Sequence, residues 1–311
     1  FPNETILKLV ITIPERENVI VDLLKNILAE LGIRNDRLVI LGHKQSYMYY
    51  AVSQPKELWA NSVGLFEFDE MGLRYTNLTV DKRTIPYIVG ADVHDLSDIM
   101  PYSVLQEKGD VKYMFLNTAN TMLHKKMVTT IYVTGKGFDQ RWATDALKEL
   151  CNGRRVFRGQ NLFNKGAAYA ARMLTDREKT KEFIFLDDDM LTSDISIRTY
   201  HNAKMHDVVL AKAGTLWSDI DESIDIIPDN EDEIQITDKN VLTRETRAHI
   251  LSLSGFAVRD NKTTRFTVRI RFADQYTCIV TLKDNGFGEF YPSTNRIWER
   301  YIKINGADSK N

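Results

Sequence analysis

Thr129-Thr130-Ile131-Tyr132-Val133-Thr134-Gly135-Lys136-Gly137-Phe138 is a β-rich run that ends in a glycine turn, and a helical pattern follows it. The same order repeats at once. Arg154-Arg155-Val156-Phe157 reads as a short strand, and Gly159-Gln160-Asn161-Leu162 opens a helix containing Gly166-Ala167-Ala168-Tyr169-Ala170-Ala171. Two strand-glycine-helix units in tandem set two helix N-termini at one edge of a sheet, where unpaired backbone N–H groups can hold an anion. The pattern is a nucleotide site in outline.

Upstream, Leu7 to Ile13 reads as a strand ended by Pro14. Val19, Leu23, Ile27 and Leu31 then recur at the helical period, and Gly32 closes that helix. A strand at Leu38 to Leu41 and a helix through Ser46 to Val52 complete a β-α-β-α order, which predicts helices packed on a sheet. Ser62 to Phe68 and Leu73 to Val80 form a hairpin around Asp69-Glu70-Met71-Gly72, Ile85 to Val89 adds a third strand, and Val111 to Met127 is a helix.

Beyond residue 180 the rhythm changes to strand-like runs separated by turns rich in Gly, Asn and Asp. In Thr264 to Phe272 the apolar Phe266, Val268, Ile270 and Phe272 alternate with arginines, as in a strand with one buried face. This half reads as an antiparallel β-sandwich, and the acidic run Asp229 to Glu233 as a solvated loop. The expected domains are 1–176, divided into 1–57 and 58–176, and 177–311.

Composition narrows the function classes. The 311 residues carry 41 basic and 43 acidic side chains, a net charge of -2, so no overall field recruits nucleic acid or anionic lipid. Hydrophobic residues make up 43%, the ordinary globular balance. Cys151 and Cys278 are too few for a disulfide framework or a zinc cage, which fits a reducing cytoplasm. No apolar run approaches the ~20 residues that span a bilayer. The chain opens on Phe1-Pro2 rather than Met, as a fragment would.

The order strand, helix, strand, helix, hairpin, helix, strand-Gly135-Lys136-Gly137-Phe138, helix, strand, Gly166-Ala167-Ala168 helix resembles the later part of an actin-like or heat-shock-chaperone-like ATPase domain, over residues 5 to 174. The resemblance implies α/β actin-like ATPase-type lobes, incomplete at the N-terminus, followed by a mostly antiparallel β-sandwich domain. It makes Gly135 to Phe138 an adenosine loop, the Gly166 helix a connecting helix, and Ser46 to Ser53 the interdomain helix. ATP or ADP with Mg is the implied cofactor, and Gly135, Lys136, Gly137, Phe138, Gly72, Arg154 and Arg155 are the implied binding residues.

Glu67 stands for the acid that would hold a metal-bound water. Asp69 and Glu70, however, occupy positions where glycine N–H groups would meet phosphate, and carboxylates there repel it. The expectation is therefore a degenerate pseudo-ATPase, a scaffold binding an unknown protein partner or self-assembling. More closely, Gly135-Lys136-Gly137-Phe138, Gly153-Arg154-Arg155-Val156-Phe157 with Asn161-Leu162, and Asp284-Asn285-Gly286-Phe287-Gly288-Glu289 resemble an uncharacterised bacterial family that joins such a region to a β-rich tail.

One competing constellation stands out. Asp187-Asp188-Asp189 follows the run Phe183 to Leu186, and a strand ending in clustered aspartates suits a divalent ion on a nucleotide sugar, the chemistry of a metal-dependent glycosyltransferase. Asp219 and Asp221 lack the glycine a calcium loop needs, since Ile224 fills its place. His201 and His206 are off the i, i+4 spacing of a helical metal site, and Ser46 lacks a nucleophile elbow.

Overall fold

The chain begins with a parallel pair, β1 (Leu9–Ile13) and β2 (Leu38–Gly42), joined through helix α1 (Asn18–Glu30) and followed directly by α2 (His43–Val52). In this computed structural model, residues 5–106, 109–176, 181–201 and 204–304 are described, and they divide into two units, 1–185 and 186–311.

The periodic stripe of α1 does not face inward. Val21 is 2% exposed and packs with Leu24 and Leu28 on β1 and β2, whereas Val19, Leu23, Ile27 and Leu31 all lie in solvent. The apolar stripe of the helix is broad, with Val19, Ile20, Val21, Leu23, Leu24, Ile27 and Leu28 all in it, and the side that packs is its Val21, Leu24 and Leu28 edge rather than the row of Val19, Leu23 and Ile27.

The centre of the first unit is a six-stranded sheet. After α2 come β3 (Ser62–Asp69), β4 (Gly72–Asp81), β5 (Tyr87–Asp95), α3 (Val111–Leu123), β6 (Val128–Thr134), α4 (Arg141–Leu150), β7 (Arg155–Arg158), α5 (Leu162–Thr175) and β8 (Phe183–Leu186). The strand order is β7-β6-β3-β4-β5-β8; β3, β4 and β5 form an antiparallel meander, while β6 and β7 run parallel to β3. Over Val63 to Phe66 β3 is buried on both faces and therefore reads as an apolar run, which Glu67 interrupts. Its Val63 and Leu65 join the core beneath α2 and α5, and its Phe66 and Phe68 join the core beneath α3 and α4. Phe66, Phe68, Phe115 and Phe138 are essentially sealed, each contributing ~1.5–3 kcal/mol of burial.

α2 and α5 cross closely above that sheet. A Cβ placed on Gly166 would sit 1.9 Å from the Ser46 carbonyl oxygen, so only glycine permits the approach. The Ser46 hydroxyl is in turn hydrogen-bonded to Thr12 Oγ1 of β1 at 2.6 Å.

The first unit reaches Phe185, beyond the 176/177 break that the change of rhythm predicts. The reason is β8, which adds to the β5 edge of the six-stranded sheet and is anchored where the Tyr87 N–H donates to the Glu182 carbonyl at 2.8 Å. Residues 177–180, where the sequence opens the second domain, lie outside the described residues.

The second unit consists of two four-stranded antiparallel sheets sharing one core. The strands are β9 (Ser193–His201), β10 (Lys204–Ala211), β11 (Asp221–Ile226), β12 (Glu233–Asn240), β13 (Thr246–Ser252), β14 (Phe266–Asp274), β15 (Thr277–Asp284) and β16 (Ile297–Lys303). One sheet is ordered β10-β9-β12-β13 and the other β11-β14-β15-β16. The alternation of β14 holds residue by residue, with Phe266, Val268, Ile270 and Phe272 at 3, 0, 0 and 7% exposure. Among the described residues no helix is long and apolar enough to cross a membrane.

The two cysteines sit in contrasting settings. Cys278 on β15 is sealed in this core, where burial first, and then the nearby Asp238 carboxylate, push its thiol up to about 12. Cys151 is exposed. Titration of the native protein with a thiol reagent is expected to modify Cys151 alone, with Cys278 reacting only after denaturation, because the thiolate is the reactive form. Rapid modification of both thiols in the native state would contradict this burial.

Candidate functional site

The C-terminal ends of β3, β6 and β7 lie side by side, and the sequence-derived site residues divide according to which end of these strands they occupy. Glu67 is in register with Thr134, which leads directly into Gly135. The Thr134 hydroxyl donates to the Gly159 carbonyl at 2.9 Å, tying the two glycine turns together. Arg155, by contrast, pairs with Thr130 at the far end of β6, and Arg154 precedes it. The expected arginines are therefore not brought to the turn. Arg158 is, because it pairs with Val133, and its guanidinium lies 3.7 Å from Asp139.

The glycine turn is filled from within. Gly135 has φ 101°, and a Cβ there would lie 2.2 Å from the Phe68 carbonyl oxygen; at Gly137 a Cβ would meet the Phe68 ring at 2.4 Å. Phe138 is sealed in the same core, with its ring 6.0 Å from that of Phe68. Lys136 points outward to Glu70, at 3.1 Å, both side chains being largely in solvent. Gly72 has φ 94° and is required by Ser97, whose Cβ lies 2.6 Å from where a side chain would start. At the hairpin tip, the Asp69 carboxylate accepts the Met71 N–H at 3.0 Å.

Glu67 lies instead at a cluster that linear spacing does not announce. Along β3 it continues the row of Val63 and Leu65, on the sheet face covered by α2 and α5. Its carboxylate is 3.5 Å from Arg74 Nη2 on β4 and 3.6 Å from His43 Nδ1 at the start of α2. Arg74 also reaches Glu15, at 3.7 Å, in the segment after β1. The His43 ring stacks on Phe163, in the first turn of α5, at 3.8 Å and 8°. Residues of five segments thus meet in one cluster, in which the Glu67 side chain is only 12% exposed.

The cluster has unspent donors. The Nε of Arg74 and the Nδ1 of His43 are buried without a hydrogen-bond partner. Buried donors without partners are uncommon and costly. The ion pairs of Arg74 with Glu67 and Glu15 suit a clamp that holds β4 to β3 and to the segment after β1. They do not suit a divalent cation, which would compete with Arg74 for the same oxygens.

Asp187 to Asp189 lie at the end of β8, where the Asp187 carboxylate accepts the Asp188 N–H at 2.8 Å. Among the described residues no three His, Cys, Asp or Glu side chains gather in a way that could hold a metal ion. The His201 side chain lies outside the described residues.

The C-terminal model of a family of unknown function (DUF5716) matches residues 1–188, and a domain of unknown function (DUF8552) matches residues 190–304. Both boundaries fall within a few residues of the division between the two units. No curated protein matches the chain.

Proposed function

The chain belongs to the DUF5716 family of unknown function through that family's C-terminal region, and on this footing we propose that residues 1–185 are a degenerate nucleotide-binding module of the actin and heat-shock-chaperone type. Such a module serves as a scaffold rather than a working ATPase, and the β-rich unit carries the partner. Support for the module comes from the sheet order of an antiparallel meander flanked by parallel crossovers, from the close α2–α5 crossing at Gly166, and from the glycine turn at the end of β6. The observation carrying degeneracy is the position of Glu67, held between Arg74 and His43 where a metal-bound water would need a free acid.

ATP with Mg fits these residues poorly. Gly135 and Gly137 face Phe68 rather than open space, Asp69 and Glu70 would repel phosphate at the hairpin tip, and Arg154 and Arg155 lie at the wrong end of the strands. What the chain's own residues do at this place is cross-link: Arg74 pairs with Glu67 and fixes β4 on β3, and the His43 ring packs between Glu67 and Phe163.

Calorimetry with ATP, with and without Mg²⁺, tests the proposal. The expected outcome is no Mg²⁺-dependent heat and no phosphate release. Mg²⁺-dependent ATP binding that disappears in Glu67→Gln would overturn it, because Glu67 would then be serving the metal rather than Arg74.

A further inference from the structure

One end of the second unit carries a groove of about 640 Å³, within the ~300–1,000 Å³ range of binding sites for small ligands. It lies between the segment joining β11 to β12 and the segment joining β13 to β14. Its lining includes Pro228, Leu253, Phe256 and Phe266, the last two in edge-to-face contact at 4.8 Å. Val258 is fully exposed at its margin, where it adds an apolar contact surface to the groove.

The walls are built rather than loose. The Asn230 N–H donates to Asn261 Oδ1 at 2.7 Å, the Leu253 N–H donates to the Asp232 carbonyl at 2.7 Å, and the Tyr291 hydroxyl donates to Asp260 at 3.1 Å.

The charges of the rim decide what the groove can take. Its two basic side chains are already committed: Arg259 forks onto the buried Asp284 at 2.9 Å, and Lys262 lies 2.9 Å from Asp229. The acids are not balanced in this way. Glu231 and Asp232 are exposed and have no side-chain partner among the described residues, and Asp260 is met only by a neutral phenol. The lining mixes apolar and polar side chains, and together with the unopposed acidic rim it complements a ligand that joins an apolar group to a cation.

We propose that this groove binds an extended segment of a partner protein in which an apolar side chain is flanked by lysine or arginine. The apolar residue would lie against Phe256 and Val258, and the flanking cations would meet Glu231, Asp232 and Asp260. A hydrophilic polycation would leave Phe256 and Val258 unused, and an anionic surface would be repelled by the rim. The proposal deepens the partner-binding half of the reading above and rests on it, but not on the nucleotide half. The ATP titration reports on the first unit and peptide binding on the second, so failure of one leaves the other standing.

The test uses the full chain and fluorescein-labelled peptides in which leucine and phenylalanine alternate with lysine and arginine, against peptides with the same apolar residues and glutamate in place of the cations. Fluorescence anisotropy is expected to show binding of the cationic set alone, weakened by added salt. The exposed double variant Glu231→Lys, Asp232→Lys should lose about tenfold or more in affinity. Val258→Lys, also wholly on the surface, should weaken binding independently. Equal binding of both peptide sets, unchanged affinity in the double variant, equally tight binding of oligoarginine, or no binding of any peptide would each overturn the proposal.

Discussion

Gly166→Ala is expected to lower the stability of the first unit by ~3 kcal/mol or more, beyond the usual range for an overpacked site. The added methyl would lie 1.9 Å from the Ser46 carbonyl oxygen, far inside the 3.0 Å below which real Cβ atoms essentially never come. What it meets is backbone, and rotating a side chain cannot relieve that. Either α2 and α5 must part, or Ser46 must leave Thr12, and both open the core containing Tyr47, Met48 and Leu162. For a unit of this size the loss corresponds to a fall of about 6–12 °C in Tm. Gly90→Ala is the matched control, since nothing lies within 4 Å of its new methyl. Thermal unfolding that leaves the two variants indistinguishable would rule out the close crossing.

Arg259→Ala is expected to cost the second unit ~3–5 kcal/mol, because it strands a carboxylate that is wholly buried. Asp284 accepts from both Arg259 nitrogens, from the backbone N–H groups of Gly286 and Thr294, and from the Thr294 hydroxyl. Burial pushes its pKa up, but the Arg259 and Thr294 bonds and the Gly286 N–H outweigh it and hold the carboxyl well below the usual range.

The sign of the pH dependence follows from that direction. A carboxylate whose folded pKa is depressed contributes stability above its unfolded value of ~3.9, and loses that contribution as pH falls through the folded value. The wild-type second unit should therefore weaken as pH drops below ~4. In Arg259→Ala the Thr294 and Gly286 bonds remain but the Arg259 contribution is lost, so the folded pKa moves up toward the unfolded one and less stability is left to lose on acidification. The stability gap between the two proteins should narrow on acidification. Urea unfolding at neutral and acid pH measures it, and a gap that stays constant or widens would show that Asp284 is not the titrating group.

Much of the first unit was legible because its strands carry their own signals. The apolar run of β3, the turn at Asp69 to Gly72 and the two strand-glycine-helix repeats all fall within a few residues of the elements found. Two polar strands escaped. β9 and β12 place Asp194, Asp238 and Asn240 where strands usually disfavour such residues. His249 on the neighbouring strand meets Asp238 at 2.8 Å, a partner that no local window reveals.

The candidate site divides in the same way. Glu67 and Arg74 face each other across the hairpin by simple register counting from Asp69 and Gly72, so that pair was available from the sequence. His43, Glu15 and Phe163 come from three other segments and required the fold. The sequence also could not show that Phe68 would fill the glycine turn, since Phe68 looks like any other core aromatic of its strand.

Because β8 returns after α5 to close the β5 edge, the position at which the gene is divided matters for handling the protein. A product ending at residue 176 would strip the four-residue β8 from the β5 edge and leave the N–H and C=O groups it covers open, a template for neighbouring chains. It would also remove Phe183 and Phe185 from the rings of Trp59, Tyr87 and Tyr49, leaving a sticky aromatic surface beside that edge. Aggregation of such a product on expression would reflect a missing strand rather than a poorly folding sequence, and ending it after Leu186 restores the edge.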